Sequence, residues 1–309
     1  MVMHRLSFCF YKEKKMKKYI IPLLTVFWLA ANSSVSFGHT FWVNAFDSTA
    51  HQPRHVLVTL GYGHSFPLDD LLTELTLKSF TLYDPELKAT PLPLPMVQQA
   101  ATIKLDNHLQ VVSGDLAARK IILGKDCPSG VYQVSAESKD NYWTYYIDEK
   151  GRQRWAAKPM NEMTEAQKIL RGMRYHPFAV SYFTVGKWQT PKSLGQDLEI
   201  IPMTDLSKVH AGDLVKFKVL FMGKELKTDP TLSIEYITAR SDAFGARENF
   251  SLSSVLFDGK GQFRLPCAGN WLVNVYTRQN VTKNNELKHL AKKCTTVLYS
   301  SSITFTVKP

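Results

Sequence analysis

The chain has 309 residues and a formal net charge of +11, from 38 Lys and Arg against 27 Asp and Glu. From residue 39 onward the basic residues are scattered rather than run together, which fits a solvated surface and gives little support to nucleic-acid binding. Four cysteines at no CxxC or zinc-knuckle spacing exclude a cysteine-built metal fold.

Residues 17–30, KKYIIPLLTVFWLA, place two lysines before an apolar run that gives way to small polar residues, the pattern of a secretory signal. The run is shorter than the roughly 20 residues a membrane-spanning helix needs, so cleavage rather than anchoring is expected. Ser36 and Gly38 are small residues suitably placed for a cut after Gly38. Residues 1–38 are then expected to form a signal peptide, with Met16 as its true start. The expected product is exported to the periplasm, not membrane-spanning, and begins at His39. Removing the leader lowers the formal charge to +6 and leaves Cys127, Cys267 and Cys294, of which Cys267 with Cys294 is the favoured pair.

From His39 onward the chain is dominated by short runs rich in β-branched and aromatic residues: 41–46, 55–62, 78–84, 109–114, 131–137, 142–147 and 179–185. One segment, NEMTEAQKILRGM at Asn161–Met173, carries its apolar residues at helical spacing and is expected to be a helix. The alternation then lapses into a linker with Pro191, Ser193 and Gly195. A second set of strands follows at 198–202, 214–221, 232–238, 249–257, 271–277 and 301–307, with Met222-Gly223 as a tight-turn signal. CPSGVYQVSAES (127–138) and CAGNWLVNVYTR (267–278) form a weak internal repeat of Cys, glycine and an aromatic opening a strand. The expectation is all-β: two immunoglobulin-like β-sandwich domains, 39–190 with one short helix and 195–309, with Tyr132 and Trp271 packed in their cores.

Among the nine histidines no HExxH, GxSxG, P-loop or GxGxxG pattern occurs, so an enzyme is not expected. Four histidines fall within 39–64. A chain that begins with histidine offers an α-amine and an imidazole to one metal ion, and one further imidazole completes a three-nitrogen set suited to Cu(II) or Ni(II). His64, in LGYGHSFPLDD, is the best second imidazole, with His55, Asp69 or Asp70 as further ligands or supporting carboxylates. The plainer reading makes His39 a frayed terminus and His64 a turn residue. His51 and His55, an i,i+4 pair split by Pro53, read as loop decoration, and His176, His210 and His289 read as surface residues. The aromatic cluster YWTYY (142–146) with Trp155 supports a second hypothesis, a carbohydrate-binding or adhesion module of the cell envelope.

At HTFWVN (39–44), GYGHSFPLDD (61–70), GVYQVSAES (130–138) and LGQDLEIIPMTDLSKVHAGDLVKFKVLFMGKEL (194–226) the chain resembles a family of exported bacterial proteins. That family is catalogued as a domain of unknown function and described as a periplasmic component of nickel or cobalt uptake transporters. The resemblance implies a divalent transition metal ion (nickel, cobalt or copper) at His39 and His64, and a membrane metal transporter as partner.

Overall fold

The structure, a computed structural model, describes residues 39–48, 54–71, 77–95, 102–104, 110–112, 114–227, 236–245, 247 and 251–309. The leader, Met16, His51 and His108 lie outside the described residues. Among those described, no helix is long and apolar enough to cross a membrane.

The chain is all-β, as its alternation requires. Its strands in order are β1 (Thr40–Ser48), β2 (His55–Gly63), β3 (Leu77–Tyr83), β4 (Ala89–Pro91), β5 (Thr102–Lys104), β6 (Gln110–Val112), β7 (Arg119–Ile122), β8 (Gly130–Ser138), β9 (Asn141–Asp148) and β10 (Gln153–Ala156). There follow β11 (Ala166–Val185), β12 (Leu198–Pro202), β13 (Leu214–Phe221), β14 (Lys224–Glu225), β15 (Tyr236–Ser241), β16 (Leu252–Val255), β17 (Lys260–Arg264), β18 (Gly269–Asn280) and β19 (Thr296–Val307). The β13–β14 turn falls on Met222 and Gly223, both at positive φ, as the sequence signals.

A ten-stranded sheet forms the centre, ordered β16-β15-β18-β19-β11-β8-β3-β4, with β9 and β10 extending it beside the first half of β11. A three-stranded sheet, β1-β2-β7, and a four-stranded sheet, β12-β13-β14 with β17, complete the two cores. Because successive side chains of a strand point to opposite faces, β11 serves both. Ala179 and Phe183 join a core with Phe41, Val58 and Tyr132. Phe178, Val180 and Tyr182 join a second core with Ile200, Phe217 and Trp271. The segments on either side of 186–197 thus meet edge to edge, β11 running parallel with β19 from Met173↔Thr296 to Ser181↔Thr304.

On the face toward β1, β19 presents hydroxyls. Ser302 Oγ donates to the Phe41 carbonyl and Thr304 Oγ1 to the Val43 carbonyl, so an edge of β1 that none of the described strands covers is satisfied by side chains. This explains a buried strand that reads YSSSITFTV.

The expected repeat is present as a shared device. Gly130 and Gly269 open β8 and β18 at φ 146° and 132°. Tyr132 donates to the Pro128 carbonyl at 3.0 Å and Trp271 to the Cys267 carbonyl at 3.1 Å, each four residues back. Both rings are buried.

Three expectations are corrected. Asn161–Met173 is not a helix: a 3-10 turn at Met160–Glu162 leads into β11, which pairs with β9 through bulges at 166–168 and 169–171. The bulges absorb the extra residues that made the spacing look helical, and cross-strand pairing outweighs the helix preference of a Glu-, Gln- and Lys-rich stretch. Cys267 and Cys294 are not a disulfide, and all three described cysteines are free. Cys267 lies beyond the Gly269↔Val307 end of the β18–β19 pair and Cys294 beyond the Asn280↔Thr296 end, about 35 Å away at strand rise, far outside disulfide reach. His176 is not a surface residue but is 7% exposed. Its Nε2 meets Glu137 Oε1 at 2.8 Å and its Nδ1 lies 3.5 Å from Asp197.

Candidate functional site

The antiparallel register of β1 and β2 pairs Thr40 with Gly63, so the residue before β1 and the residue after β2 come together. Those residues are His39 and His64. Their rings meet edge to face with centroids 4.5 Å apart. Tyr62 closes the group, its ring 4.8 Å from that of His39. Both histidines are half-buried.

The glycines of GYGH make this end of β2 possible. A Cβ on Gly61 would lie 2.1 Å from the Trp42 indole, so the ring lies flat on bare backbone. Gly63 has φ 133°, and a Cβ there would lie 2.3 Å from Asp69 Oδ2. Asp69 uses that space to accept from the His64 backbone N–H at 2.6 Å and the Ser65 N–H at 3.2 Å. Downstream, Trp42 Nε1 donates to the Pro67 carbonyl at 2.9 Å and Asn44 Nδ2 donates to the same oxygen at 3.2 Å. The loop that carries His64 is therefore tied to β1 at Pro67 and folded back on itself by Asp69.

His39 is held from the other side. Tyr175 donates to its carbonyl at 3.0 Å, and Tyr276 shares a hydrogen bond of 3.1 Å with Thr40 Oγ1. Burial raises the Tyr62 phenol, with Asp70 and Tyr276 adding to the effect. Burial likewise lifts Tyr175 well above the ordinary phenol range. Both stay neutral around pH 7, Tyr175 as a hydrogen-bond donor and Tyr62 as a ring packed on His39.

The residues expected at a metal site divide as follows. His39 and His64 are brought together. Asp69 is adjacent but engages the main chain of the His64 turn. Asp70 is exposed; its N–H donates to the Tyr62 carbonyl at 3.2 Å and its Oδ1 accepts from the Leu71 N–H. His55 starts β2, eight residues and about 26 Å from Gly63 at strand rise, and does not join the group. Tyr62, Tyr175 and Tyr276 complete the surroundings, and sequence reasoning missed them. Tyr62 lies inside the quoted GYGH, whereas Tyr175 and Tyr276 arrive from positions 136 and 236 residues away from their partners.

Two imidazoles that bind one ion at about 2.0 Å and at right angles have centroids about 4.5 Å apart, so the His39–His64 spacing fits a shared ion. Among the described residues no three His, Cys, Asp or Glu side chains gather around one point.

None of the curated proteins compared matches the chain. A family profile covers residues 36–279, from just ahead of His39 through β18. On that match the chain belongs to the family described as Domain of unknown function (DUF4198).

Proposed function

We propose that this chain is an exported, periplasmic protein that binds a divalent transition metal (nickel, cobalt or copper) and serves a membrane uptake system, acting as a binding protein and not as an enzyme. The His39 amine and imidazole supply two nitrogens and the His64 imidazole the third. The observation that carries the reading is the 4.5 Å separation of the two imidazoles at the very start of β1. Tyr175 and the Asp69 turn hold the two histidines from independent elements, which suits a preformed site. Amine and imidazoles coordinate only when deprotonated, so affinity rises with pH through the imidazole range and above.

The test is titration calorimetry with Ni(II), Co(II) and Cu(II) on protein that begins at His39, on protein with one alanine ahead of His39, and on His64→Ala. The expected result is tight one-to-one binding of at least one ion by the first and a loss of at least about 10-fold in the other two, in the range measured for perturbed metal shells. Equal affinity with and without the extra alanine would rule out the amine, and equal affinity in His64→Ala would rule out the second imidazole.

A further inference from the structure

β9, β10 and the first half of β11 form an arm of the large sheet whose two faces differ. The back is covered: Thr144 Oγ1 donates to the Lys158 carbonyl at 2.7 Å, Met160 N–H donates to the Lys293 carbonyl at 2.9 Å, and Met160 packs where a Gly172 Cβ would lie. The front is open. Cross-strand register sets Trp155 opposite Tyr145 and Tyr145 opposite Arg171, one rung across three strands. The next rung sets Gln153 opposite Ile147 and Ile147 opposite Lys168. Trp155 is 64% exposed and Tyr145 45%, while the Arg171 guanidinium lies over the Tyr145 ring at 5.9 Å. These two rungs carry two cations and no carboxylate.

The same face continues along β11 to Tyr175, where the β1-β2-β7 layer begins to cover it. Trp143 stacks at a tilt on Tyr175, ring centroids 5.6 Å apart. The open face thus stops where the covering layer starts, about 13 Å along the strand from the Tyr145 rung. Large exposed rings side by side on a sheet face, backed by a packed layer, mark an interaction surface more than a folding requirement.

We propose that this face binds a linear anionic polysaccharide, with sugar rings stacked on Trp155 and Tyr145 and acidic substituents paired with Arg171 and Lys168. The apolar C–H face of a pyranose carries slight positive charge and matches the negative face of an aromatic ring. Two cations without a competing carboxylate select an acidic sugar over a neutral one. Single-stranded nucleic acid also combines rings with charge, but it carries a phosphate at every step, and the scattered lysines offer no continuous basic track for it.

The proposal is independent of the metal site and is tested on metal-stripped protein by calorimetry with a hexuronate oligosaccharide. The comparison ligands are a neutral gluco-oligosaccharide of equal length, an oligothymidylate and vesicles of anionic phospholipid. The hexuronate is expected to bind at least about 10-fold more tightly than the neutral oligomer, and Trp155→Ala and Tyr145→Ala each to weaken it by about 10-fold, the scale of an interface anchor. Arg171→Gln is expected to weaken the preference for charge and the double substitution Arg171→Gln, Lys168→Gln to remove it, with circular dichroism showing that every variant keeps its fold. The proposal is overturned if the hexuronate does not bind, if the neutral oligomer binds equally well, if neither ring substitution matters, or if oligothymidylate or vesicles bind more tightly through the same two rings.

Discussion

Tyr175 donates its phenolic hydrogen to the carbonyl of His39 at 3.0 Å, joining the middle of the longest strand to the residue that opens the described chain. The phenol is buried and neutral, so the bond persists across the working pH range. Tyr175→Phe keeps the ring and removes the hydrogen bond. The expected result is a fall of about 10-fold in metal affinity, in the range of outer-shell substitutions, with a stability loss of about 1–2 kcal/mol. Calorimetry and urea unfolding on the same preparation separate the two effects.

Gly61→Ala tests the packing under the site. The new Cβ would sit 2.1 Å from the Trp42 ring, which is fully buried and cannot swing away. A loss of about 1–3 kcal/mol is expected from overpacking, together with a change in tryptophan fluorescence. An unchanged urea midpoint would mean that the ring has room the structure does not show.

Ser302 and Thr304 satisfy backbone carbonyls of β1 that none of the described strands reaches. Ser302→Ala and Thr304→Val each strand one carbonyl in a buried seam, at about 1–3 kcal/mol apiece. The double substitution should cost less or more than the sum, because the two hydroxyls lie two residues apart on one face. Chemical denaturation of the single and double variants measures the coupling.

Glu137 provides a pH signature. Burial alone would raise its pKa, but hydrogen bonds from His176 and Lys78 outweigh burial, and the net shift is downward from 4.5. A carboxylate depressed in the folded state contributes stability above its unfolded pKa and loses it as pH falls through the folded value. Melting temperature should therefore drop as pH falls below about 4.5, and Glu137→Gln should flatten that drop while lowering the melting temperature near neutrality. A variant with the same acid limb as the parent would remove Glu137 from the account.

The thiols give a direct check on connectivity. Cys294 is fully buried and burial raises its pKa, so it should react with a thiol reagent only after unfolding. Cys127 and Cys267 are partly exposed and should react in the folded protein. Denatured protein prepared without reductant should titrate all three; finding one would mean that two of the three are paired, against the free thiols of the structure.

The strands of both cores were legible because β1, β2, β8, β13 and β18 are short runs rich in β-branched and aromatic residues bounded by turn signals. β10 was not legible: QRWA has no apolar alternation, and its strand exists because Asp148 folds the chain back by accepting from the Lys150 and Arg152 N–H groups. The first half of β11 was misread for a related reason, since its partner β9 is what makes it extended. At the site, the meeting of His39 and His64 follows from an antiparallel pairing of β1 with β2, which the sequence suggested. The distance of His55 was equally contained in that pairing, since a residue that starts a strand cannot serve a site at its end. The tyrosines that grip His39 and Thr40 come from β11 and β18, and no local pattern ties them to the start of β1.

The two-faced strand β11 has a consequence for how the molecule comes apart. Cutting the chain in the 186–197 segment would leave the first fragment displaying Phe178, Val180 and Tyr182 to water and would take from the second fragment one wall of its interior. Neither piece would be a finished object, and the first would have an adhesive flank. Heat or denaturant should accordingly dissolve both halves in a single event, and a lesion in one should be felt as lost cohesion in the other.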